Sequence, residues 1–95
     1  MPLEVVWAES ALQRLDAILV HVAAYRPRAA VGLIDRLFDR ASKLGEFPEL
    51  GRVYAALPGA GLREVIEGNY RLIYRVEVAR VVVVAVRHVR EAELG

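Results

Sequence analysis

The sequence predicts an α+β fold with an N-terminal strand and an antiparallel helix hairpin packed on a mainly antiparallel sheet, in the order β-α-α-β-β-β. Two stretches in the first half repeat apolar residues at the helical period, whereas residues 62–88 contain three strand-like runs separated by turn signals. Helices with one apolar face each need the surface of a sheet to bury them. A chain of 95 residues supports one modest core, so residues 1–95 are predicted to form a single domain.

The first strand and the first helix are predicted from residues 3–24. Residues 3–7 (LEVVW) are rich in strand-forming side chains. Ser10 is followed three residues later by Gln13, a capping-box pattern that predicts a helix from Ser10 to about residue 24. The predicted buried stripe of this helix consists of Ala11, Leu12, Leu15, Ile18, Leu19 and Val22.

A second helix is predicted to begin at Pro27, since proline suits the first helical position. It continues to Leu44, with Gly45 as the residue that ends it. Because the connection between the helices is short, they are expected to form an antiparallel hairpin. The predicted buried stripe consists of Ala30, Leu33, Ile34, Leu37, Phe38, Ala41 and Leu44.

The second half of the chain is predicted to be a link, a loop and a three-stranded antiparallel meander. Proline and glycine punctuate residues 47–61, which favours turns and a loop. Gly68 and Asn69 tolerate the positive φ of a tight hairpin turn, and residues 70–76 alternate in character. The β-branched run at residues 81–86 (VVVVAV) is typical of a strand covered on both faces.

Side chains alternate between the two sides of a strand, and in the meander several arginines fall on the same side of their strand as nearby apolar residues. If the strand register brings these sets to one side, exposed guanidinium groups surround an apolar floor on the side of the sheet away from the helices. The alternative is that arginines at strand ends only hydrate the sheet, while their aliphatic stems cover apolar area. The sets are Arg63 with Val65; Arg71 with Ile73 and Arg75; and Val81 and Val83 with Ala85 and Arg87.

The composition argues against several kinds of site. Without cysteine there is no disulfide, thiol catalysis or cysteine-ligated zinc, and two histidines do not make a histidine-rich metal site. A formal net charge of +1 provides no broad basic field, so direct nucleic-acid binding is not expected. No signal peptide or membrane-spanning run is recognisable, so a cytoplasmic protein without metal or cofactor is expected. Asp16, Asp35 and Asp39 are assigned to solvated helix surfaces.

The order of elements and five short motifs resemble the RelE/ParE superfamily of toxins from type II toxin–antitoxin systems, with details closer to the ParE branch. Two positions depart from the pattern: Ala8 stands where relatives have Thr or Ser, and Glu91 stands where the exit often has a second arginine. The motifs are VW at 6–7, FPELGR at 47–52, LREV at 62–65, GNYRLIYRV at 68–76 and VRHVR at 86–90.

The ParE resemblance implies a non-hydrolytic inhibitor of DNA gyrase, with no catalytic residues, that is neutralised by a cognate antitoxin whose C-terminal segment wraps the toxin. The arginines and aliphatic groups of the sheet suit a segment with apolar anchors and acidic groups. On this interpretation His88 and Arg90 are the candidate target-binding residues. The candidate antitoxin-binding residues are Arg63, Arg71, Ile73, Arg75 and Arg87.

The RelE resemblance implies a different activity, ribosome-dependent and metal-independent cleavage of mRNA. Its catalytic candidates by position are Arg63, Arg71, Arg87 and His88. Alternation, however, places His88 on the opposite side of its strand from Arg87. Residues 54–61 contain no Lys or Arg, where the nucleases carry lysines, and their terminal tyrosine is absent. The ParE interpretation is therefore preferred, with the nuclease as the alternative.

Overall fold

A five-stranded sheet with two helices on one side is the architecture of the computed structural model, which describes residues 2–94. The strand order is β1-β5-β4-β3-β2; β1 pairs with β5 in parallel and the other neighbours are antiparallel. The predicted α+β class and element order are confirmed, although the short edge strand β2 was not predicted. The elements are β1 (Glu4–Trp7), α1 (Glu9–Ala23), α2 (Pro27–Glu46), β2 (Arg52–Val53), β3 (Leu62–Glu67), β4 (Tyr70–Val76) and β5 (Arg80–His88).

The core lies between the helix hairpin and one side of the sheet. Apolar residues of α1 and α2 pack there against β3, β4 and β5, and Leu72 on β4 is completely buried. The predicted stripes were wrong at their margins, since Leu12 and Phe38 are 44% and 41% exposed. Phe38 instead packs against Trp7 at the edge of the hairpin, with ring centroids 5.0 Å apart. Between residues 2 and 94, no helix is both long and apolar enough to cross a membrane.

The start of α1 differs from the predicted capping box. The helix begins at Glu9, so Ser10 lies inside its first turn, and Ala8 provides no side-chain cap. The chain passes directly from β1 into the helix because the Ala8 N–H donates to the Val83 carbonyl on β5, at 2.9 Å. This tertiary hydrogen bond fixes the helix start, and Gln13 contacts Glu9 instead of capping.

The end of α2 also differs from the prediction. Gly45 lies inside the helix, which continues to Glu46. The N–H of Leu3 donates to the Gly45 carbonyl at 2.9 Å, and a Cβ on Gly45 would lie 2.4 Å from the Leu3 carbonyl oxygen. Glycine is therefore needed here for the close approach of the N-terminal segment, and it does not end the helix.

The meander is confirmed, with one irregularity that changes the predicted faces. Gly68 takes the positive φ of the β3–β4 turn, at 59°. On β5, Ala85 pairs with Ile73 but Val83 pairs with Tyr74, so Val84 is an extra residue between them. Such a bulge changes the side on which the following side chains lie. The prediction that Val81 and Val83 share a side with Ala85 and Arg87 was therefore wrong.

Candidate functional site

The side of the sheet away from the helices carries the residues that we call the arginine face. Arg71 on β4 pairs directly with Arg87 on β5, and paired residues of neighbouring strands point to the same side. Ile73 pairs with Ala85 on one side and with Glu64 on the other, so all of them share this face. The arginine face consists of Glu64, Arg71, Ile73, Arg75, Ala85 and Arg87.

Arg63 is not part of this face, and its predicted grouping with Arg71 and Arg87 was wrong. Its partner on β4 is Tyr74, whose ring lies in the core on the helix side of the sheet. The Arg63 guanidinium donates to the Gly51 carbonyl at 2.7 Å. The β3–β4 register causes this, since it places Glu64, rather than Arg63, opposite Ile73.

The centre of the arginine face is a buried ion-pair network. Arg71 and Glu64 are each 5% exposed, and the closest atoms of their charged groups are 4.0 Å apart. Arg52 donates to Glu64 through Nε at 2.9 Å and through Nη2 at 2.6 Å. Glu93 accepts a hydrogen bond from Arg71 at 2.5 Å, and this contact raises the pKa of the Arg71 guanidinium above its usual value. Arg71 therefore stays charged inside the protein because carboxylates surround it.

Residues 89–94, which we call the tail, turn back onto this face after β5. The N–H of Glu91 donates to the His88 carbonyl at 2.9 Å, which closes the turn. The Glu91 carboxylate then accepts hydrogen bonds from Arg87, at 2.8 Å, and from Arg14 on α1. The tail thus ties the last strand to the first helix.

Glu93 holds the other end of the tail. Its carboxylate accepts hydrogen bonds from Arg71 and from the Tyr54 hydroxyl, and the Leu94 N–H donates to Tyr54 Oη at 2.9 Å. Tyr54 is buried in this position, at 1% exposure. The expected open guanidinium face is therefore partly covered by the chain itself. The Arg75 and Arg87 side chains are 45% and 33% exposed and stay accessible beside the tail.

The tail should detach in acid. Hydrogen bonds from Tyr54 and Arg71 hold the pKa of Glu93 below its usual 4.5. Burial opposes ionisation of Glu91, but bonds from the His88 N–H and from Arg87 outweigh it, so its pKa is also lowered. A lowered folded-state pKa means that this stabilisation is complete above about pH 4.5 and is lost as the pH falls through the folded values.

We therefore expect the Leu94 amide resonance to move to its unfolded-chain position in a titration from pH 7 to pH 3, with a midpoint below 4.5. The Glu93→Gln variant is the control, since its Leu94 resonance should already be shifted at pH 7. A Leu94 resonance that does not change down to pH 3 would contradict carboxylate docking of the tail.

His88 lies on the other side of β5 from Arg87, as predicted. It pairs with Tyr70, and the two rings meet edge to face at 5.3 Å. His88 Nδ1 accepts the Arg90 N–H at 3.1 Å, which leaves Nε2 as the donor of a neutral imidazole. Arg90 is exposed. His88 lines a cavity of about 520 Å³ between α1 and the sheet, together with Arg14, Ala17, Ile18, His21, Val22 and Tyr70.

Four members of the site were not predicted from the sequence: Glu64, Tyr54 and the two tail carboxylates, Glu91 and Glu93. The position of a carboxylate inside a predicted strand, directly before Val65 and Ile66, was a usable signal for Glu64. In the part of the chain that the structure describes, no group of three or more histidines and carboxylates forms a metal-binding cluster.

Several known proteins are similar to this chain. Residues 5–93 match the model of a family described as the ParE toxin of the type II toxin–antitoxin system parDE. A protein named Toxin RelE2 from Caulobacter vibrioides is 38% identical over 86 residues, which cover 90% of this chain and 93% of that protein.

Two solved structures share the fold. A chain in the chromosomal ParDE toxin–antitoxin system of P. aeruginosa superposes with a TM-score of 0.76 at 18% identity, over 90% of this chain and 95% of that one. A chain in the RelBE2 toxin–antitoxin complex of Mycobacterium tuberculosis superposes with a TM-score of 0.64 at 24% identity, over 93% of this chain and 99% of that one. The fold is therefore the one found in both the ParE and RelE branches.

Proposed function

Because the chain belongs to the ParE toxin family of type II toxin–antitoxin systems, we propose that it inhibits DNA gyrase and that a cognate antitoxin neutralises it. The observation that carries this proposal is the separation of the residues that a nuclease would need. Arg63 and His88 lie on the helix side of the sheet, whereas Arg71 and Arg87 lie on the arginine face. These four side chains do not converge on one point.

Cleavage at a ribose 2′-hydroxyl requires a base, an acid and cations directed at one phosphorus. Arg71 is buried and neutralised by Glu64 and Glu93, so it is not available to a phosphate. Arg87 lies on the arginine face, whereas His88 faces a cavity on the other side of the sheet, so the two cannot act on one phosphorus. The arrangement supports a toxin that acts by binding, without a hydrolytic centre.

The low positive charge of the chain also supports a target other than the ribosome. Most of the affinity for a nucleic-acid backbone comes from Lys and Arg, which displace counterions from the phosphates. The loop between β2 and β3 has no basic residue at positions 54–61, and the whole chain carries a formal net charge of +1. A ribosomal target with many phosphate contacts fits this surface poorly.

The arginine face is the proposed binding site of the antitoxin. Arg75 and Arg87 retain accessible guanidinium groups there, on either side of the Ile73–Ala85 pair. Guanidinium groups bind carboxylates in a bidentate manner, so the matching antitoxin segment carries acidic groups. The two solved structures with this fold are named as toxin–antitoxin systems, which agrees with such a partner.

We assign gyrase binding to the end of the sheet that carries His88 and Arg90. Arg90 is exposed after the last strand, and the His88 imidazole borders the adjacent cavity. Among residues 2–94, neither side chain takes part in the ion-pair network of the arginine face, so a second partner could bind them without disturbing that network.

A supercoiling assay with purified gyrase tests the proposal. The protein should inhibit supercoiling, and the variant His88→Ala/Arg90→Glu should need about tenfold more protein for the same inhibition, as for an interface hot spot. Arg28→Glu, an exposed charge reversal at the tip of the helix hairpin, is the matched control and should inhibit like the parent. Codon-positioned cuts in translated mRNA, without an effect on gyrase, would contradict the proposal and favour the nuclease.

A further inference from the structure

We propose that the tail occupies the antitoxin-binding site of the free protein and that the antitoxin displaces it. The displacing segment of the antitoxin has the pattern acid-x-acid-apolar and contacts the same arginines as the tail. This inference rests on the proposed antitoxin partner and specifies the chemistry of its docking segment. Glu91 and Glu93 stand two residues apart and contact Arg87 and Arg71, which are directly opposite each other on neighbouring strands. The tail sequence Glu-Ala-Glu-Leu is thus an acid-x-acid segment followed by an apolar residue.

The charges around this face call for an acidic occupant. Arg14, Arg52, Arg71 and Arg87 supply four guanidinium groups, and three carboxylates pair with them. Two of those carboxylates belong to the tail, so a lifted tail leaves four guanidinium groups with Glu64 alone. Because Arg71 is 5% exposed, losing Glu93 there is costly, and a replacement carboxylate from another chain offsets that cost.

The tail satisfies this face incompletely. The Nε atoms of Arg14, Arg40 and Arg71 are buried and have no hydrogen-bond partner among residues 2–94, and two of these arginines, Arg14 and Arg71, contact the tail. Buried donors without acceptors are rare in native proteins and indicate a missing partner. An occupant that supplies acceptors to these two arginines would satisfy donors that the tail leaves without partners.

The tail is also held in a way that permits exchange. Within the described chain, residues 92–94 make no backbone-to-backbone hydrogen bond to the sheet. Side-chain contacts hold this segment, together with the single bond from the Leu94 N–H to Tyr54. The Glu93 side chain is 52% exposed, and ion pairs of this exposure stabilise weakly.

A cavity beside Leu94 offers room for a larger apolar anchor. β1 pairs with β5 only as far as Val83, so within residues 2–94 no strand pairs with that edge of residues 84–86, beside α1. An antitoxin side chain larger than leucine, or a short strand added to this edge, fits the space. The cavity measures about 420 Å³ and is lined by Ser10, Arg14, Val84, Ala85, Val86, Arg87 and Leu94.

The test uses the full-length variant Glu91→Gln/Glu93→Gln, in which the tail loses both carboxylates. The matched control is Asp35→Asn/Asp39→Asn, which changes net charge equally on the exposed surface of α2, away from the arginine face. The first probe is a labelled acetylated peptide with the sequence of residues 89–95, and its binding is followed by fluorescence anisotropy. We expect at least fivefold tighter binding to the tail variant than to the parent or the control, and no binding of the peptide with both glutamates replaced by glutamine.

The second probe is the protein encoded by the reading frame adjacent to this gene, as the antitoxin. The tail variant should bind it at least fivefold more tightly than the parent, because no internal competitor has to leave. Equal or weaker binding overturns the inference and leaves the proposed function standing, whereas absence of binding to every form counts against both.

Hydrogen exchange on the unaltered protein provides a check that needs no variant. The Leu94 amide, which donates to Tyr54, should exchange faster in the antitoxin complex than in the free protein, while the β5 amides stay protected. Continued protection of Leu94 in the complex would overturn the inference.

Discussion

Replacing Gly51 by alanine is expected to lower the free energy of unfolding by about 3 kcal/mol, the upper part of the range for overpacking a buried site. Gly51 is buried where the chain enters β2, and its N–H donates to the Tyr74 hydroxyl at 2.8 Å. A Cβ at this position would lie 2.5 Å from the Glu64 carbonyl oxygen and 2.7 Å from Tyr74 Oη. Denaturant unfolding followed by circular dichroism measures the effect.

The clash at Gly51 is severe because the neighbouring atoms cannot move away cheaply. The Glu64 carbonyl belongs to the backbone of β3, and the Tyr74 hydroxyl also donates to the Pro48 carbonyl at 2.7 Å. Gly32→Ala is the matched control, since its Cβ would meet only the end of the Arg36 side chain at 3.4 Å. That substitution in α2 should stabilise the protein by about 0.5–1 kcal/mol. Equal effects of the two alanines would contradict the close packing described at Gly51.

Replacing Glu64 by alanine should destabilise the protein by about 3 kcal/mol. Breaking a buried ion pair leaves an uncompensated charge, and such losses cost about 3–5 kcal/mol. The lower end applies because Arg71 keeps its contact with Glu93 after the change. Arg52 loses both of its hydrogen bonds to Glu64. The difference in the free energy of unfolding between variant and parent should persist in high salt, since burial shields the pair from ions.

Glu77→Ala provides the comparison for Glu64. Glu77 also contacts two arginines, Arg75 and Arg80, but it lies in an exposed turn at the other end of β4. Removal of an exposed ion pair has a small effect on stability, and salt reduces it further. If both alanine variants lose the same stability, the buried network at the centre of the arginine face does not have the role assigned to it.

The elements that local periodicity determines were predictable from the sequence. The apolar repeats of α1 and α2 and the Gly68 turn each depend on neighbours in the chain, and the structure confirms all three. The short strand β2 was not predictable, because two residues in a segment rich in proline and glycine carry too little pattern. The start of α1 depends on a hydrogen bond from Ala8 to β5, which no local motif reveals.

The composition of the arginine face was only partly predictable, because parity within a strand does not determine register between strands. Arg71, Ile73 and Arg75 share a side as expected, since they belong to one strand. Arg63 lies on the other side because of its pairing with Tyr74. Val84 is the unpaired residue of the bulge in β5, and nothing in the run of valines before Ala85 distinguishes it from its neighbours.

The position of the tail over the arginine face could not be predicted from the sequence either. A short tail of mixed charge is typical of a frayed end. The spacing of Glu91 and Glu93 was nevertheless informative, since alternate residues of an extended segment point to the same side.

The parallel pairing of the first strand with the last has a consequence during protein synthesis. Trp7 pairs with Val83, and a ribosome that adds about 5–20 residues per second reaches that partner on the order of 4–15 seconds after making the tryptophan. The nascent chain therefore cannot complete its five-stranded sheet until β5 has been synthesised. A chain whose translation stops before β5 lacks both His88 and Arg90, the proposed target-binding residues, so prematurely terminated products are expected to be harmless to the cell that makes them.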